Sequence, residues 1–365
     1  MKIIISGGGT GGHIFPAISI ANTIKARYPK ADILFVGAEN RMEMSRVPEA
    51  GYQIIGLPIA GFNRKNIFNN IKVLHLLIKS MRLARQTLCN FKPDIAVGVG
   101  GYASGPTLIV ASQLGIPTLI QEQNSYAGMT NKILAKKAAK ICVAYECMSA
   151  FFPKDKIIFT GNPVRNHLEC SNEKRNKAIA EFQLDPNKKT ILVIGGSLGA
   201  RTINESMLHN WEKWCHSENV QIIWQSGKLY YNKCAFKIAV RPDAPVKLYP
   251  FISRMDLAYS VADIIISRAG AGTISELCIV GKPVILIPSP NVAANHQTKN
   301  AKSLVNYNAA IMIPDKFAMK KLADTVLELA QNKKRQKKLS RNIAKLALPN
   351  AADSIVDEIE KILMK

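Results

Sequence analysis

The 365-residue sequence is short of acid: 26 Asp and Glu stand against 49 Lys and Arg, a formal net charge of +23. That balance opposes self-association and draws the chain to polyanions, whether nucleic acid, anionic headgroups or phosphorylated substrates. Cysteine has no useful pattern. Cys89, Cys142, Cys147, Cys170, Cys215, Cys234 and Cys278 are odd in number and contain no CxxC pair. This argues against both a disulfide framework and a structural zinc site. No Asp-x-Asp pair occurs that could hold a divalent ion against a diphosphate. No apolar run approaches the roughly eighteen residues that a spanning helix needs. Met1-Lys2 leads straight into a short strand, which does not read as a signal peptide, so a cytoplasmic location is expected. What remains is a globular composition, 47% hydrophobic, at a length that usually makes two domains.

Short Val/Ile-rich runs alternate with helix-period segments throughout. Ile3–Ser6, Ile33–Val36, Ile95–Val99, Thr118–Ile120, Ile141–Val143 and Ile157–Phe159 read as buried strands in the first half. Ile191–Ile194, Gln221–Trp224, Val246–Leu248, Ile264–Ile266, Val284–Ile287 and Ala310–Ile313 repeat the scheme. Such runs, bounded by Gly and Pro, are parallel strands covered on both faces, with helices as right-handed crossovers. The fold class predicted is α/β, with two Rossmann-like, doubly wound parallel-sheet domains. A polar stretch follows Gly161-Asn162-Pro163-Val164-Arg165 and ends at Asp185-Pro186-Asn187-Lys188-Lys189. It divides the chain into domains of about 1–164 and about 165–345. A cleft is expected between the C-terminal edges of the two sheets, where open α/β sheets bind ligands.

Each domain opens with a strand and a glycine turn. The first is Ser6-Gly7-Gly8-Gly9-Thr10-Gly11-Gly12-His13, followed by a helix carrying Ile14, Ile18, Ala21 and Ile24 with Pro16 in its first turn. The second is Gly195-Gly196-Ser197-Leu198-Gly199-Ala200, followed by one helix carrying Ile203, Met207, Trp211 and Trp214. Glycine admits positive φ and close approach of a ligand, and a helix N-terminus offers N–H groups to phosphate. Gly7-x-Gly9-x-x-Gly12 also satisfies the dinucleotide fingerprint, with Glu39 placed as its ribose-binding acid. A nicotinamide- or flavin-dependent oxidoreductase is therefore one reading. The second glycine loop favours a two-sided transferase instead.

The most informative stretch is Ser267-Arg268-Ala269-Gly270-Ala271-Gly272-Thr273-Ile274-Ser275-Glu276-Leu277, with Asn295-His296-Gln297-Thr298-Lys299-Asn300-Ala301 beyond it. To these add Gly100-Gly101-Tyr102-x-Ser104-Gly105-Pro106, Glu122-Gln123-Asn124, Gly161-Asn162-Pro163-Val164-Arg165 and the two glycine loops. Together, in their order along the chain, they resemble glycosyltransferase family 28, and specifically its UDP-N-acetylglucosamine transferases acting on the lipid-linked muramoyl-pentapeptide precursor of peptidoglycan. The motifs cover nearly the whole chain. Gln121 departs from a family that often has histidine before Glu-Gln-Asn.

The resemblance implies the GT-B fold, with the last helix, about 346–365, crossing back to the first domain. It implies UDP-GlcNAc as donor, the muramoyl-pentapeptide polyprenyl diphosphate as acceptor, an inverting mechanism, and neither cofactor nor metal. It places the enzyme peripherally on the cytoplasmic face of the bacterial inner membrane. Donor contacts are implied for Thr10, Gly11, Gly12, Asn124, Arg165, Ser197, Ile252, Ala271, Gly272, Thr273, Ser275, Glu276 and Gln297. Several have a plain structural reading as well. Thr273-x-x-Glu276 reads as a capping box; Ser197 as an N-cap; Arg165 as half of a surface ion pair. Ile252 reads as core, Gln297 as a solvated helix residue, and Asn124 as a turn. His13 is the candidate general base, since imidazole titrates near working pH and a helix N-terminus favours its neutral form. The alternative is that His13 only hydrogen-bonds the acceptor diphosphate while Glu122 serves as base.

Ile67–Gln86 has helical period and an apolar arc of roughly 240°. Ile67, Ile71, Leu74, Ile78 and Met81 form one stripe, extended by Val73, Leu76, Leu77 and Leu83, with Lys72, Lys79 and Arg82 on the remainder. A core-facing helix needs only about 100°; the excess suits an anionic membrane interface. Burial on two sides is the competing reading. Lys333-Lys334-Arg335-Gln336-Lys337-Lys338 reads as a solvated face. No recognisable nucleic-acid module accompanies the basic charge. Another GT-B enzyme with a different lipid acceptor is the runner-up, and a non-catalytic basic protein the last alternative.

Overall fold

The structure, a computed structural model, describes residues 1–61, 69–164, 168–196, 198–241, 244–292 and 295–364, with backbone alone for 69–72. The chain forms two compact units, Met1–Arg165 with Leu348–Lys365, and Asn166–Ala347.

In unit 1 the order runs β1 (Lys2–Ser6), α1 (Gly11–Arg27), β2 (Asp32–Ala38), α2 (Glu43–Glu49), β3 (Gln53–Leu57) and α3 (Asn69–Phe91). It continues with β4 (Ile95–Gly98), α4 (Ser104–Gln113), β5 (Thr118–Glu122), α5 (Met129–Leu134), β6 (Lys140–Val143) and β7 (Ile157–Phe159). The strands are parallel in the order β3-β2-β1-β4-β5-β6-β7. Period-two alternation sends successive isoleucines to opposite faces. Ile3, Ile5, Phe35 and Val97 pack under α1, whereas Ile4, Val36, Ala96 and Ile120 pack under α3 and α4. Each fully buried Ile contributes about 1.5–3 kcal/mol relative to exposure, so the sheet is a rigid base for the loops at its edge. The strand β3 is absent from the sequence expectation: polar Gln53 and Gly56 interrupt its apolar run.

Unit 2 begins with α6 (Asn172–Glu181), β8 (Lys189–Ile194), α7 (Arg201–His209), α8 (Trp211–Cys215), β9 (Val220–Gln225), α9 (Tyr231–Ala239) and β10 (Val246–Tyr249). Then come α10 (Met255–Val261), β11 (Ile264–Ser267), α11 (Ala271–Val280), β12 (Val284–Leu286), α12 (His296–Val305) and β13 (Ile311–Met312). It ends with α13 (Ala318–Gln331) and α14 (Lys333–Ala344). Its parallel sheet has the order β10-β9-β8-β11-β12-β13. Ile191, Val193, Trp224, Ile264 and Ile266 pack against Ile203, Met207, Trp211 and Trp214. The single helix expected over those last four residues is two helices. Asn210 interrupts it, its amide donating to the carbonyls of Ser206 and Met319 at 2.9 Å each.

The final helix, α15 (Ala351–Leu363), packs on α1 in unit 1 through Ile355, Val356 and Ile359. Arg27 at the end of α1 meets Asp353, Asp357 and Glu360 at 2.8, 2.5 and 3.2 Å. Partial exposure limits what each pair contributes, but three carboxylates on one guanidinium fix the register of the two helices. Pro16 is not in the first turn. The helix starts at Gly11, so Pro16 is the sixth residue, and its ring replaces the N–H that would have bonded Gly12.

Candidate active site

Both sheets reverse their strand order once, between β1 and β4 in unit 1 and between β8 and β11 in unit 2. At such a switch point two neighbouring loops leave in opposite directions and open a crevice at the C-terminal strand ends. The sequence places glycine loops at all four of these positions.

In unit 1 the loop after β4 lies directly on the loop after β1. Gly101 (φ +88°) is in the left-handed region, and a Cβ there would come within 2.3 Å of the Gly8 carbonyl oxygen. Only glycine permits both the conformation and the approach. Thr10, in extended conformation, is the N-cap of α1. Its hydroxyl is 3.2 Å from His13 Nδ1 instead of capping a backbone N–H. The half-buried His13 ring stands beside Gly100, where a Cβ would come within 3.1 Å of Nε2. Gly11 and Gly12 form the first helical positions next to it.

Glu122 ends β5 and is 2% exposed. Its carboxylate accepts from the backbone N–H groups of Asn124 (3.1 Å) and Gly128 (2.9 Å) and from the amides of Asn124 (3.4 Å) and Asn131 (2.9 Å). Four donors on two oxygens make this group a brace for the 123–131 turn. Behind it lies a buried amide network. Gln121 donates to Asn162 Oδ1 (3.0 Å), Asn162 to the Gln123 carbonyl (3.0 Å), and Gln123 to the Val99 carbonyl (2.7 Å) and to Gln121 Oε1. Gln121 is thus an interior hydrogen-bonding residue.

The acid of the dinucleotide fingerprint stands where that pattern puts it, directly after β2. Glu39 is exposed; its N–H donates to Leu57 and its side chain lies over Gly56 of the edge strand. A different acid, Glu43, reaches the first glycine loop: it is 1% exposed and accepts from Gly9 N–H at 2.9 Å.

In unit 2 the loop after β8 is held by the segment after β9. A Cβ on Gly199 (φ +83°) would meet the Ser226 carbonyl at 2.0 Å. Buried Gln225 accepts from the Ile252 N–H at 2.8 Å and donates to the Gly196 carbonyl at 3.0 Å. Ile252 is buried as well as tied, so its core reading and a backbone role are compatible.

The Thr273–Glu276 capping box does not form. Gly270 is the N-cap of α11, so Thr273 lies inside the helix, and no side chain caps the end. Ala271, Gly272 and Thr273 therefore begin a helix whose first N–H groups have no intrahelical acceptor. Ser275 donates back to the Ala271 carbonyl at 3.2 Å. Glu276, half-buried one turn on, accepts from the buried Tyr259 hydroxyl at 3.0 Å. Gln297 is not a solvated surface residue. Its Oε1 accepts from the N–H groups of Ser289 (2.8 Å) and Ala269 (3.3 Å), pinning the loops after β11 and β12 together. Arg268 pairs with Asp315 and donates to the Ile287 carbonyl at 2.9 Å, while Thr202 donates to Asp315 at 2.8 Å. Gln225, Tyr259 and Asp315 carry no sequence signal of these roles. Arg165 and Ser197 lie outside the described residues.

On α3, Val73, Ser80, Ala84, Thr87 and Leu88 are buried, whereas Leu74 and Ile78 are 52% and 47% exposed. Lys79 and Arg82 are exposed beside them; Leu77 and Met81 are half-buried. The broad apolar arc is therefore two faces, one against the core and a narrower one outward. Ile67 lies outside the described residues, as do the side chains of Ile71 and Lys72. No described helix is long and apolar enough to cross a membrane.

Residues 3–143 match the glycosyltransferase family 28 N-terminal domain and 190–355 its C-terminal domain. The chain is 62% identical over 364 residues to the UDP-N-acetylglucosamine–N-acetylmuramyl-(pentapeptide) pyrophosphoryl-undecaprenol N-acetylglucosamine transferase of Parabacteroides distasonis, covering 100% of this chain and 99% of that one. The protein of the same name from Phocaeicola vulgatus is 59% identical, with 100% and 97% covered. Among solved structures, Acinetobacter baumannii MurG superposes with a TM-score of 0.77 at 28% identity, covering 99% of each chain. A UDP-GlcNAc 2-epimerase from Neisseria meningitidis bound to UDP-GlcNAc gives a TM-score of 0.69 at 17% identity over 99% and 100% of the chains, a likeness of fold alone. The two parallel sheets are those of the GT-B fold, and the chain belongs to glycosyltransferase family 28.

Proposed function

We propose that this chain transfers N-acetylglucosamine from UDP-GlcNAc to the muramoyl-pentapeptide polyprenyl diphosphate of peptidoglycan synthesis, converting lipid I to lipid II with inversion at the anomeric carbon. The observation that carries this reading is the 62% identity to a transferase of that name over the whole chain.

Unit 2 is the donor side in this reading. The first turn of α11, Ala271–Ser275, receives the diphosphate on its N–H groups. Glu276 takes the ribose hydroxyls while Tyr259 holds it in place. Because Gln297 Oε1 is already engaged by two backbone donors, its amide N–H groups are the part that meets the sugar. Ile252, whose N–H is taken by Gln225, offers uracil its carbonyl. By resemblance, Ser197 and Arg165 add to the diphosphate contacts.

Unit 1 is the acceptor and membrane side. If His13 donates from Nδ1 to Thr10, the lone pair lies on Nε2 and is the base. The acceptor 4-hydroxyl attacks the anomeric carbon opposite UDP. Its proton passes to His13, the bond to the diphosphate oxygen breaks, and UDP leaves with the electron pair. Helix termini and backbone N–H groups stabilise that developing charge. Thr10, Gly11 and Gly12 shape the wall beside His13, and Asn124 is oriented by Glu122. Leu74 and Ile78, ringed by Lys79 and Arg82, rest on anionic lipid.

Mass spectrometry of the lipid product tests the reaction. One added N-acetylhexosamine on the muramoyl acceptor supports it. Transfer to a different glycolipid alone replaces it with the runner-up. Thermal stabilisation by NAD(H) but not by UDP or UDP-GlcNAc returns the oxidoreductase reading.

A further inference from the structure

We infer that Glu43 is a positioning residue for the reaction: its buried carboxylate is a built-in anion that presets the first glycine loop, and with it His13. The inference rests on the reading of that loop as the carrier of the acceptor-side base.

Glu43 is 1% exposed. A carboxylate is seldom buried to that extent without paired donors. It has two, from different segments. Oε1 accepts from Ala38 N–H at 3.0 Å, at the end of β2, and Oε2 accepts from Gly9 N–H at 2.9 Å, in the loop after β1. Hydrogen bonds to a charged acceptor are about twice as strong as neutral ones. The carboxylate therefore clamps the glycine loop to the neighbouring strand one residue before Thr10, the N-cap that contacts His13.

The surrounding sequence is cleared for this group. A Cβ on Gly8 would come within 2.1 Å of Glu43 Oε1, and one on Gly37 within 2.6 Å of Glu43 Cγ. Two glycines, one in the loop after β1 and one near the end of β2, thus vacate the volume that one acidic side chain fills. From the opposite side Gly101 presses on the Gly8 backbone. The loop is fixed from both flanks before any substrate arrives. A consequence follows for ligand chemistry. The Gly9 N–H, which in a dinucleotide-binding loop would face a pyrophosphate, here points at the protein's own anion.

Glu43→Gln keeps the volume but turns an N–H toward one of the two donors. Glu43→Asp keeps the charge but is one methylene too short to hold both, and serves if the glutamine variant fails to fold. Two readouts apply to the full chain. The first is amide exchange over residues 8–13, expected to quicken by about tenfold or more, with residues 190–203 of unit 2 unchanged. The second is kinetic: kcat falls about 10- to 100-fold through misplacement of His13, while the Kd for UDP-GlcNAc stays within about twofold. Unchanged exchange at Gly9, with only Ala38 affected, overturns the clamp. Unchanged kcat in a variant with a loosened loop overturns the positioning role. A wild type that shows no acceptor-dependent turnover sinks the functional reading itself, while the exchange result still decides whether Glu43 sets the loop.

Discussion

The Tyr259 hydroxyl donates to Glu276 Oε2 across 3.0 Å, joining α10 to the second turn of α11. Tyr259 is 1% exposed, so the bond fixes a half-buried carboxylate from beneath. Removing it should loosen Glu276 without opening the core. Tyr259→Phe, which removes only a support of Glu276, is expected to weaken UDP-GlcNAc about fivefold, and Glu276→Ala, which removes the ribose contact itself, about 10- to 100-fold. Calorimetric titration of each variant checks this. Equal Kd values across all three proteins would take the ribose role away from Glu276.

His13 and Glu122 should separate by the kind of damage they cause. His13→Ala is expected to lower kcat by about 10²–10⁴ with donor affinity intact. Glu122→Gln sets an N–H against the donors of the 123–131 turn and should cost about 1–3 kcal/mol. In a unit of this size that is roughly 2–4 °C of Tm per kcal/mol. Melting curves beside single-turnover rates decide the matter. Loss of rate at unchanged Tm in Glu122→Gln would make it the base after all.

Much of this was readable from residues alone. Eleven of the twelve strand expectations needed only end corrections of one or two residues, and the twelfth, Ile157–Phe159, none, because buried parallel strands are near-continuous Val/Ile runs. The edge strand Gln53–Leu57 lacked that signature. The glycine loops and the α11 start were legible for the same reason: backbone geometry demands particular residues there. Side chains acting at long range were not. Glu43, Gln225, Tyr259 and Asp315 meet partners from 17 to 113 residues away, and an isolated acid, amide or tyrosine carries no mark of where it will point. Thr273–Glu276 shows the reverse error: a local pattern matched a capping box with Thr273 as N-cap, but the N-cap is Gly270, three residues earlier.

The outward face of α3 predicts a lipid dependence. Leu74→Ser with Ile78→Ser should reduce co-sedimentation with phosphatidylglycerol-containing vesicles, leaving UDP-GlcNAc binding unchanged. Lys79→Ala with Arg82→Ala should act mainly at low salt, each cation contributing about 1 kcal/mol near an anionic surface. Vesicle binding indifferent to both pairs would assign the exposed leucine and isoleucine no membrane role.

The buried thiols give the protein an alkaline limit. Burial pushes Cys142 and Cys278 up to about 12 from an ordinary 9.0, with Glu358 adding to the effect at Cys142. Below pH 9.0 both folded and unfolded chains keep these protons, and their contribution to stability is complete. Between 9.0 and about 12 only the unfolded chain ionises, so stability falls as pH rises. Urea midpoints at pH 8 and pH 10 check the sign. A thiol reagent at pH 8 should reach the exposed Cys89, Cys147 and Cys170 and leave Cys142, Cys234 and Cys278 untouched until unfolding.

The most direct test of the central claim is UDP release from UDP-GlcNAc with a short-chain muramoyl-pentapeptide polyprenyl diphosphate, with and without EDTA. Release that requires the acceptor and survives EDTA is the predicted result, since helix termini and backbone N–H groups meet the leaving charge. Binding of UDP-GlcNAc with no acceptor-dependent release would contradict the assigned reaction while leaving the donor site standing.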